Sequence, residues 1–411
     1  MATLFTAKHV YVGDGSVIDD GAVLVNGSKI VAVDSKEKLA SHPSIVGTYD
    51  FGDGSVMPGM IDSHVHLGFD GSEAPVEHMK AWSDEMLLAV MFRSAKELLF
   101  AGVTTARELG ARGHLALVVQ EAVDRGVLDG PRLVVANEPI TPTGGHCWFM
   151  NGEVDGELEI IRAVRERHKA GAQYVKVMAT GGFMTHGSAP WHAQFSRDEM
   201  RALVAEARRV DMRVAAHAHG TPGIINAVEA GVDTIEHCSW ATREGTNLDT
   251  EIASRIAERG IYVCATTNVR MVKPEIGSLS GRTIPAGVMD ARRERLQMMY
   301  KMGVAFIAGT DSGIDLVPHG AYAYGLEGLA ESGMPNSEII VAATQRAAEA
   351  LGVLTVTGTL EAGKEADLIG LAGDPNIDLT TLRSPECVVA RGRVFDRGML
   401  SSVGIEESDR G

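Results

Sequence analysis

The chain has 411 residues, 45% of them hydrophobic and 22% charged, with a formal net charge of −16. That length exceeds one small core and calls for a large domain plus a smaller one, while the acidic balance disfavours a phosphate backbone, so no nucleic-acid partner is expected. No run of about 18 apolar residues is free of charge and no basic-then-apolar leader opens the chain, so neither a membrane span nor a signal peptide is expected; four cysteines without a Cys-x-x-Cys pair point to a reducing, cytoplasmic setting.

Residues 1–57 read as β structure. "GAVLVNGSKIVAVDS" is two alternating runs joined by Asn26-Gly27, a pair suited to a type I′ hairpin turn. Asn26-Gly27-Ser28 also matches a glycosylation sequon, a reading set aside for a chain without a leader. The far end, 356–411, has the same texture in "ADLIGLAG" and "CVVARGRVF". Neither end can bury a core alone, so the two are expected to pair into one small β-sandwich domain.

Between them, in 58–355, short apolar runs alternate with amphipathic ones. The predicted strands are 59–67, 102–110, 132–140, 174–182, 213–220, 234–239, 262–269 and 304–313. One helix opens at Ser196 with Glu199 three residues on, a capping box, and carries Met200, Leu203, Val204, Ala207 and Val210 on one face. Eight β-then-α units suggest a (β/α)8 TIM barrel of the α/β class, with a doubly wound sheet as the alternative. The barrel is preferred because the unusual residues fall at strand C-terminal ends, which in a barrel share one mouth.

Those residues are histidines, carboxylates and one lysine. The first strand ends His64-Val65-His66, and i, i+2 side chains share a side. The fifth ends His217-Ala218-His219, the sixth Glu236-His237 and the eighth Thr310-Asp311. Imidazole and carboxylate are the ligand set of zinc and related divalent ions. Lys176 stands near the end of the fourth strand, in "YVKVMATGG". An ammonium cannot bind a metal. Burial beside two cations would leave it a neutral amine, able to add CO2 and become a carbamate that bridges two ions. No Gly-x-Ser-x-Gly elbow and no phosphate loop appears.

With "VMPGMIDSHVH", Lys176, His217, His237, "GTDSG" and "GTLEAGKEADLIGL" together, the chain resembles the amidohydrolase superfamily over essentially its whole length, in the binuclear subtype with a carboxylated lysine. "TGGH", "KVMATGG" and "AAHAHG" resemble the group related to imidazolonepropionase. That group includes Xaa-Pro and other dipeptidases, an ochratoxin-type amidase, and phenylurea and thiocarbamate hydrolases. The resemblance implies two divalent ions, zinc foremost, and CO2 as a carbamate on Lys176. His64, His66 and Asp311 would bind the buried ion, His217 and His237 the exposed one, and Lys176 both. His219 lies two residues from His217, so the strand-five ligand is open between them; His217 is chosen because its spacing to His237 resembles the group's.

The expected reaction is hydrolysis of a C–N amide bond in a small apolar or aromatic substrate, a dipeptide or N-acyl amino acid, by attack of a metal-bridged hydroxide. Asp311 would take the proton and pass it to the leaving nitrogen. His146, with His219 second, would stabilise the oxyanion. Trp148, Phe149, Phe183 and Trp191 on mouth loops suggest a ring-bearing substrate, and Arg270 could grip a carboxylate. The alternative is hydrolysis of aryl ureas, carbamates or anilides. Less favoured are a deaminase, which would lack the strand-four lysine, and a non-catalytic relative, which would have lost ligands. A homo-oligomer is expected by analogy.

Overall fold

The computed structural model describes residues 1–276, 286–396 and 398; the last stretch of the predicted small domain, 399–411, lies outside the described residues. The N-terminal segment forms β1 (Ala2–Tyr11), β2 (Val17–Asn26), β3 (Lys29–Ser35), β4 (Ile45–Asp50) and β5 (Ser55–Pro58). The barrel strands are β6 (Met60–Val65), β7 (Val103–Glu108), β8 (Arg132–Val135), β9 (Tyr174–Met178), β10 (Arg213–Gly220), β11 (Thr234–Thr242), β13 (Tyr262–Cys264) and β14 (Phe306–Ile307); β12 (Gly245–Thr246) is a short return on β11. The chain ends in β15 (Leu368–Leu371), β16 (Cys387–Ala390) and β17 (Arg393–Asp396).

Both chain ends share one sheet, ordered β17-β16-β15-β5-β1-β2-β3, with β4 also on β1. The ten-residue β1 makes this possible: β4 pairs with its first half and β5 with its second. Alternation along β1 and β2 divides the side chains. Phe5, Ala7, Val10, Val23 and Val25 enter a core that also holds Leu368, Cys387 and Val389 from the other end. Leu4, Ala22 and Leu24 face the opposite way, onto Leu39. The Asn26-Gly27 hairpin is present, but its turn sits one residue later: Asn26 pairs with Lys29, leaving Gly27-Ser28 as the loop.

The barrel is closed. Parallel pairing runs β6-β7-β8 and β9-β10-β11-β13-β14. Ile140 bridges β8 to β9 through bonds with Lys176 O and Met178 N, each 2.8 Å. Ser63 N to Ala308 O (2.9 Å) and His66 N to Ser312 O (2.9 Å) close β14 onto β6. All eight predicted strands are present, several shorter than predicted; the eighth is reduced to two residues because its end turns early into the site.

Strand alternation sorts β9 cleanly. Val175 and Val177 join the main core outside the barrel, so Tyr174, Lys176 and Met178 point inward. At the N-terminal end of the strands, the helix Gln345–Leu351 plugs the barrel, and the Tyr174 hydroxyl donates to Ala350 O at 2.7 Å. Only the C-terminal end remains as a mouth. The predicted capping box opens the helix Arg197–Arg209 with both reciprocal bonds, and Met200, Leu203, Val204 and Ala207 are buried as predicted; Val210 is its C-cap. No helix among the described residues is long and apolar enough to cross a membrane.

The shared core makes a checkable demand on the small domain. Phe5→Ala removes a fully buried ring and should cost about 3–5 kcal/mol. Because Phe5 and Cys387 share one cluster, thiol labelling of Cys387 should accelerate in this variant while that of Cys238, in the barrel core, stays slow. Equal acceleration of both would show that the two cores unfold as one.

Candidate metal centre

At the mouth, His64 Nε2, His66 Nε2 and Asp311 Oδ1 lie 3.3 Å from one another. The other ring nitrogens determine what those atoms can do. His64 Nδ1 is 2.9 Å from Glu236 Oε2, and His66 Nδ1 is 3.1 Å from the carbonyl of Gly110. A carboxylate and a carbonyl only accept, so this network assigns the proton to both Nδ1 atoms. Both Nε2 atoms then carry lone pairs, aimed at each other and at a carboxylate oxygen. Three acceptors facing inward repel unless a cation stands among them. Ligands bound at zinc distances in tetrahedral array sit about 3.3 Å apart, which is the spacing found.

A second group repeats the arrangement. His217 Nε2 lies 3.1 Å from Gly181 O. His237 Nδ1 lies 2.8 Å from Thr266 Oγ1, whose own hydrogen goes to Ala265 O. The lone pairs of His217 Nδ1 and His237 Nε2 therefore face each other at 2.9 Å. His219 stands beside them and can complete a three-histidine ligand set, but its ring stacks on His237 at 18° and its Nδ1 meets Ser239 Oγ at 2.9 Å. Lys176 joins the groups. It is 1% exposed, with Nζ 3.4 Å from His64 Nε2, and the His64 and His237 rings are 5.3 Å apart.

Local backbone explains why so many polar side chains point one way. Neighbours on a strand alternate, so Glu236 and His237 should face opposite sides. His237 has φ 69°, and this left-handed residue turns both inward. Asp311 (φ 60°) and Thr266 (φ 51°) are also left-handed, a strain of the kind that collects at functional sites. Glu236 is held by Arg107 at 2.8 Å, and Arg107 also donates to Ser63 O and Thr234 Oγ1. Asp62 accepts from the amides of His64 and Thr310, each at 3.1 Å, and from the Thr310 hydroxyl at 2.6 Å. Sequence reasoning missed Asp62, Arg107 and Glu236 as orienting residues. Each is a charge inside an apolar strand, the same signal that singled out Lys176.

Burial dominates the proton affinities. It lowers His64 to about 4 and His146 and His219 to about 3, and pushes His217 and His237 well below the usual imidazole value. It also depresses Lys176, against the pull of Glu236 and Asp311. It raises Asp62 to about 7. For Asp311 burial acts upward, but His64 and His66 outweigh it and hold the carboxyl below its normal range.

The loop residues divide. His146 is buried, its ring 4.6 Å from that of His217, and its Nδ1 has no hydrogen-bond partner among the described residues. Gly182 lies against it: a Cβ there would stand 2.3 Å from His146 Nε2. Trp191 is partly buried, with Nε1 unpartnered among the described residues. Trp148 is 41% exposed, under Lys80. Phe149 instead packs into a buried cluster with Phe69 and Met178, an anchor for the loop rather than a surface. Arg270 is engaged by Asp315, with Nη1 3.2 Å from Oδ2.

The Amidohydrolase family model matches residues 55–395. Ochratoxinase of Aspergillus niger is 29% identical, over 94% of this chain and 84% of its own; its crystal structure superposes with a TM-score of 0.82 over 96% and 95% of the two chains. A Xaa-Pro dipeptidase crystallised with methionine in its active site is 29% identical, with a TM-score of 0.85 over 96% of this chain and all of its own. A prolidase in complex with N-methylphosphonate-L-proline is 27% identical, with a TM-score of 0.83 over 97% and 100%.

The histidines also set an acid limit. Above pH about 6.5 both folded and unfolded chains keep them neutral. Below it the unfolded chain takes up protons that His64, His146 and His219 refuse until about 4 or 3. Asp62, raised to about 7, acts in the opposite sense, but the lowered histidines outnumber it, so the native state binds fewer protons in that window and stability falls as pH drops. Denaturant titrations of chelator-treated protein should show this loss between pH about 6.5 and 4; a flat profile would mean the imidazoles are protonated in the folded state.

Proposed function

The chain belongs to the amidohydrolase family, and with its site as described we propose that it cleaves the amide bond of a small N-acyl amino acid or dipeptide at a binuclear metal centre. That it is a hydrolase of C–N bonds follows from the family and its relatives. The observation that carries the finer reading is the pair of lone-pair clusters flanking one buried lysine. In this reading His64, His66 and Asp311 hold one divalent ion, and His217 and His237 the other. His217 is preferred to His219 because its lone pair faces that of His237, whereas His219 presents its ring face. Two zinc ions there would supply Lewis acidity and lower the pKa of a water between them.

Lys176 is suited to a carbamate. A neutral amine adds CO2 with loss of one proton, which places an anion between two cation positions. Burial favours the neutral amine from which that addition starts. Asp311 stays ionised at neutral pH, so it can accept a proton at the carboxylate and return it to the departing nitrogen, which leaves poorly unless protonated. His146 stays neutral, and a neutral imidazole still has one N–H to offer the carbonyl oxygen as charge develops. Its unpartnered Nδ1 and the side-chain-free floor of Gly182 leave it poised for that role. His219 is the second candidate. The 75% exposure of Phe183, in edge contact with His219, favours a ring-bearing substrate. It also keeps a second reading in play, hydrolysis of aryl ureas, carbamates or anilides.

Elemental analysis should give about two divalent ions per chain. Protein equilibrated with 13C-bicarbonate should show a carbamate carbon signal that Lys176→Ala lacks. Lys176→Ala and Asp311→Asn should each lower kcat by about 10²–10⁴. One ion per chain with a fully active Lys176→Ala would end the binuclear reading. Turnover of aryl ureas and carbamates but not of N-acyl amino acids or dipeptides would shift the function to the second reading.

A further inference from the structure

Arg292, on the helix Ala286–Lys301, donates from Nη2 to the carbonyl of Ala265. Ala265 precedes Thr266, whose hydroxyl holds the His237 ring. The guanidinium is therefore anchored at the rim of β13, beside the second histidine group. Its Nε is shut off from solvent without a hydrogen-bond partner among the described residues. Its charge acts on His219 and feels that of Asp311, and burial lowers its pKa to about 10. No carboxylate pairs with it among the described residues, in a chain with 54 Asp and Glu against 38 Lys and Arg. A desolvated cation without a counter-ion is costly unless something anionic joins it. Arg270, which the sequence suggested for gripping a carboxylate, has Asp315 instead.

We propose that Arg292 receives the carboxylate of the substrate's leaving amino acid, so that the preferred substrates carry a free α-carboxylate. This rests on the amide-hydrolase reading above and narrows it against neutral ureas and anilides. With one Nη2 hydrogen spent on Ala265 O, the end of the fork is fixed in place, and a guanidinium fork matches a carboxylate in shape and charge.

The test uses the metal-loaded full chain with two substrates, N-acyl-phenylalanine and N-acyl-phenethylamine, which differ only by the carboxylate. Wild type should favour the acid. Arg292→Met should raise KM for the acid about 10- to 100-fold with little change in kcat, and leave the phenethylamide unaffected. Arg292→Lys should recover part of the loss, since it restores charge without the fork. An equal loss on both substrates, or a wild type indifferent to the carboxylate, would overturn the assignment while leaving the amidase reading intact. Turnover of neither substrate would overturn the amidase reading and the assignment with it. If Arg292→Met does not fold, the wild-type preference and the Arg292→Lys variant decide.

Discussion

Unshared electron pairs, turned toward one another inside a closed barrel, are the constraint on which this structure turns. His64 and His66 are made to present Nε2 because Glu236 and Gly110 O take the proton on the other side of each ring. His217 and His237 face each other because Gly181 O and Thr266 do the same. The arrangement is unfavourable on its own terms, and the surrounding fold enforces it. Left-handed backbone at His237, Thr266 and Asp311 stores part of that cost. The Arg107–Glu236–His64 chain, fully buried, absorbs another part through charge-assisted bonds. In the proposed reading such a site would bind cations because the protein has already done the unfavourable work of assembling the donors.

Lys176 extends the same logic. Strand period places it inward between Tyr174 and Met178, and the opposite facing would take Val175 and Val177 out of the outer core and put the ammonium there instead. A lysine in that slot must either lose its proton or find an anion. In the proposed reading it does both, by taking up CO2. The loops above it are supported from below: Gly182 gives His146 its place, and Phe149 ties the strand-three loop to Phe69.

Much of this was legible in the sequence because the signals obey short-range periodicity. His-x-His on a strand declares its own geometry, and so does a capping box. The barrel followed from eight repeats of one pattern. What stayed hidden depends on backbone that departs from period two. Glu236 and His237 both stand out at the end of one strand, where period two lets only one of them face inward; the left-handed turn makes both inward. The hairpin turn falls one residue past Asn26, at Gly27-Ser28, in a register that the alternating runs alone do not set. Arg270 and Arg292 could not be told apart by composition, since only the fold brings Asp315 to the first and Ala265 O to the second. Phe149 beside Trp148 looked like surface on a loop, and neighbouring residues went to opposite sides of it.

The donors around the first ion position come from the first and last barrel strands, stitched together by Asp62 and Thr310. During synthesis, His64 and His66 leave the ribosome some 245 residues ahead of Asp311, and β5 waits longer still for β15. The ring cannot close, nor the small sheet complete itself, until nearly the whole chain has emerged. Pairing at such sequence separation is intrinsically slow, which leaves β5 and β6 as open strand edges in the nascent chain. A metal ion captured by the finished triad would then lock the barrel seam, so metal supply and folding yield in the cell would rise and fall together.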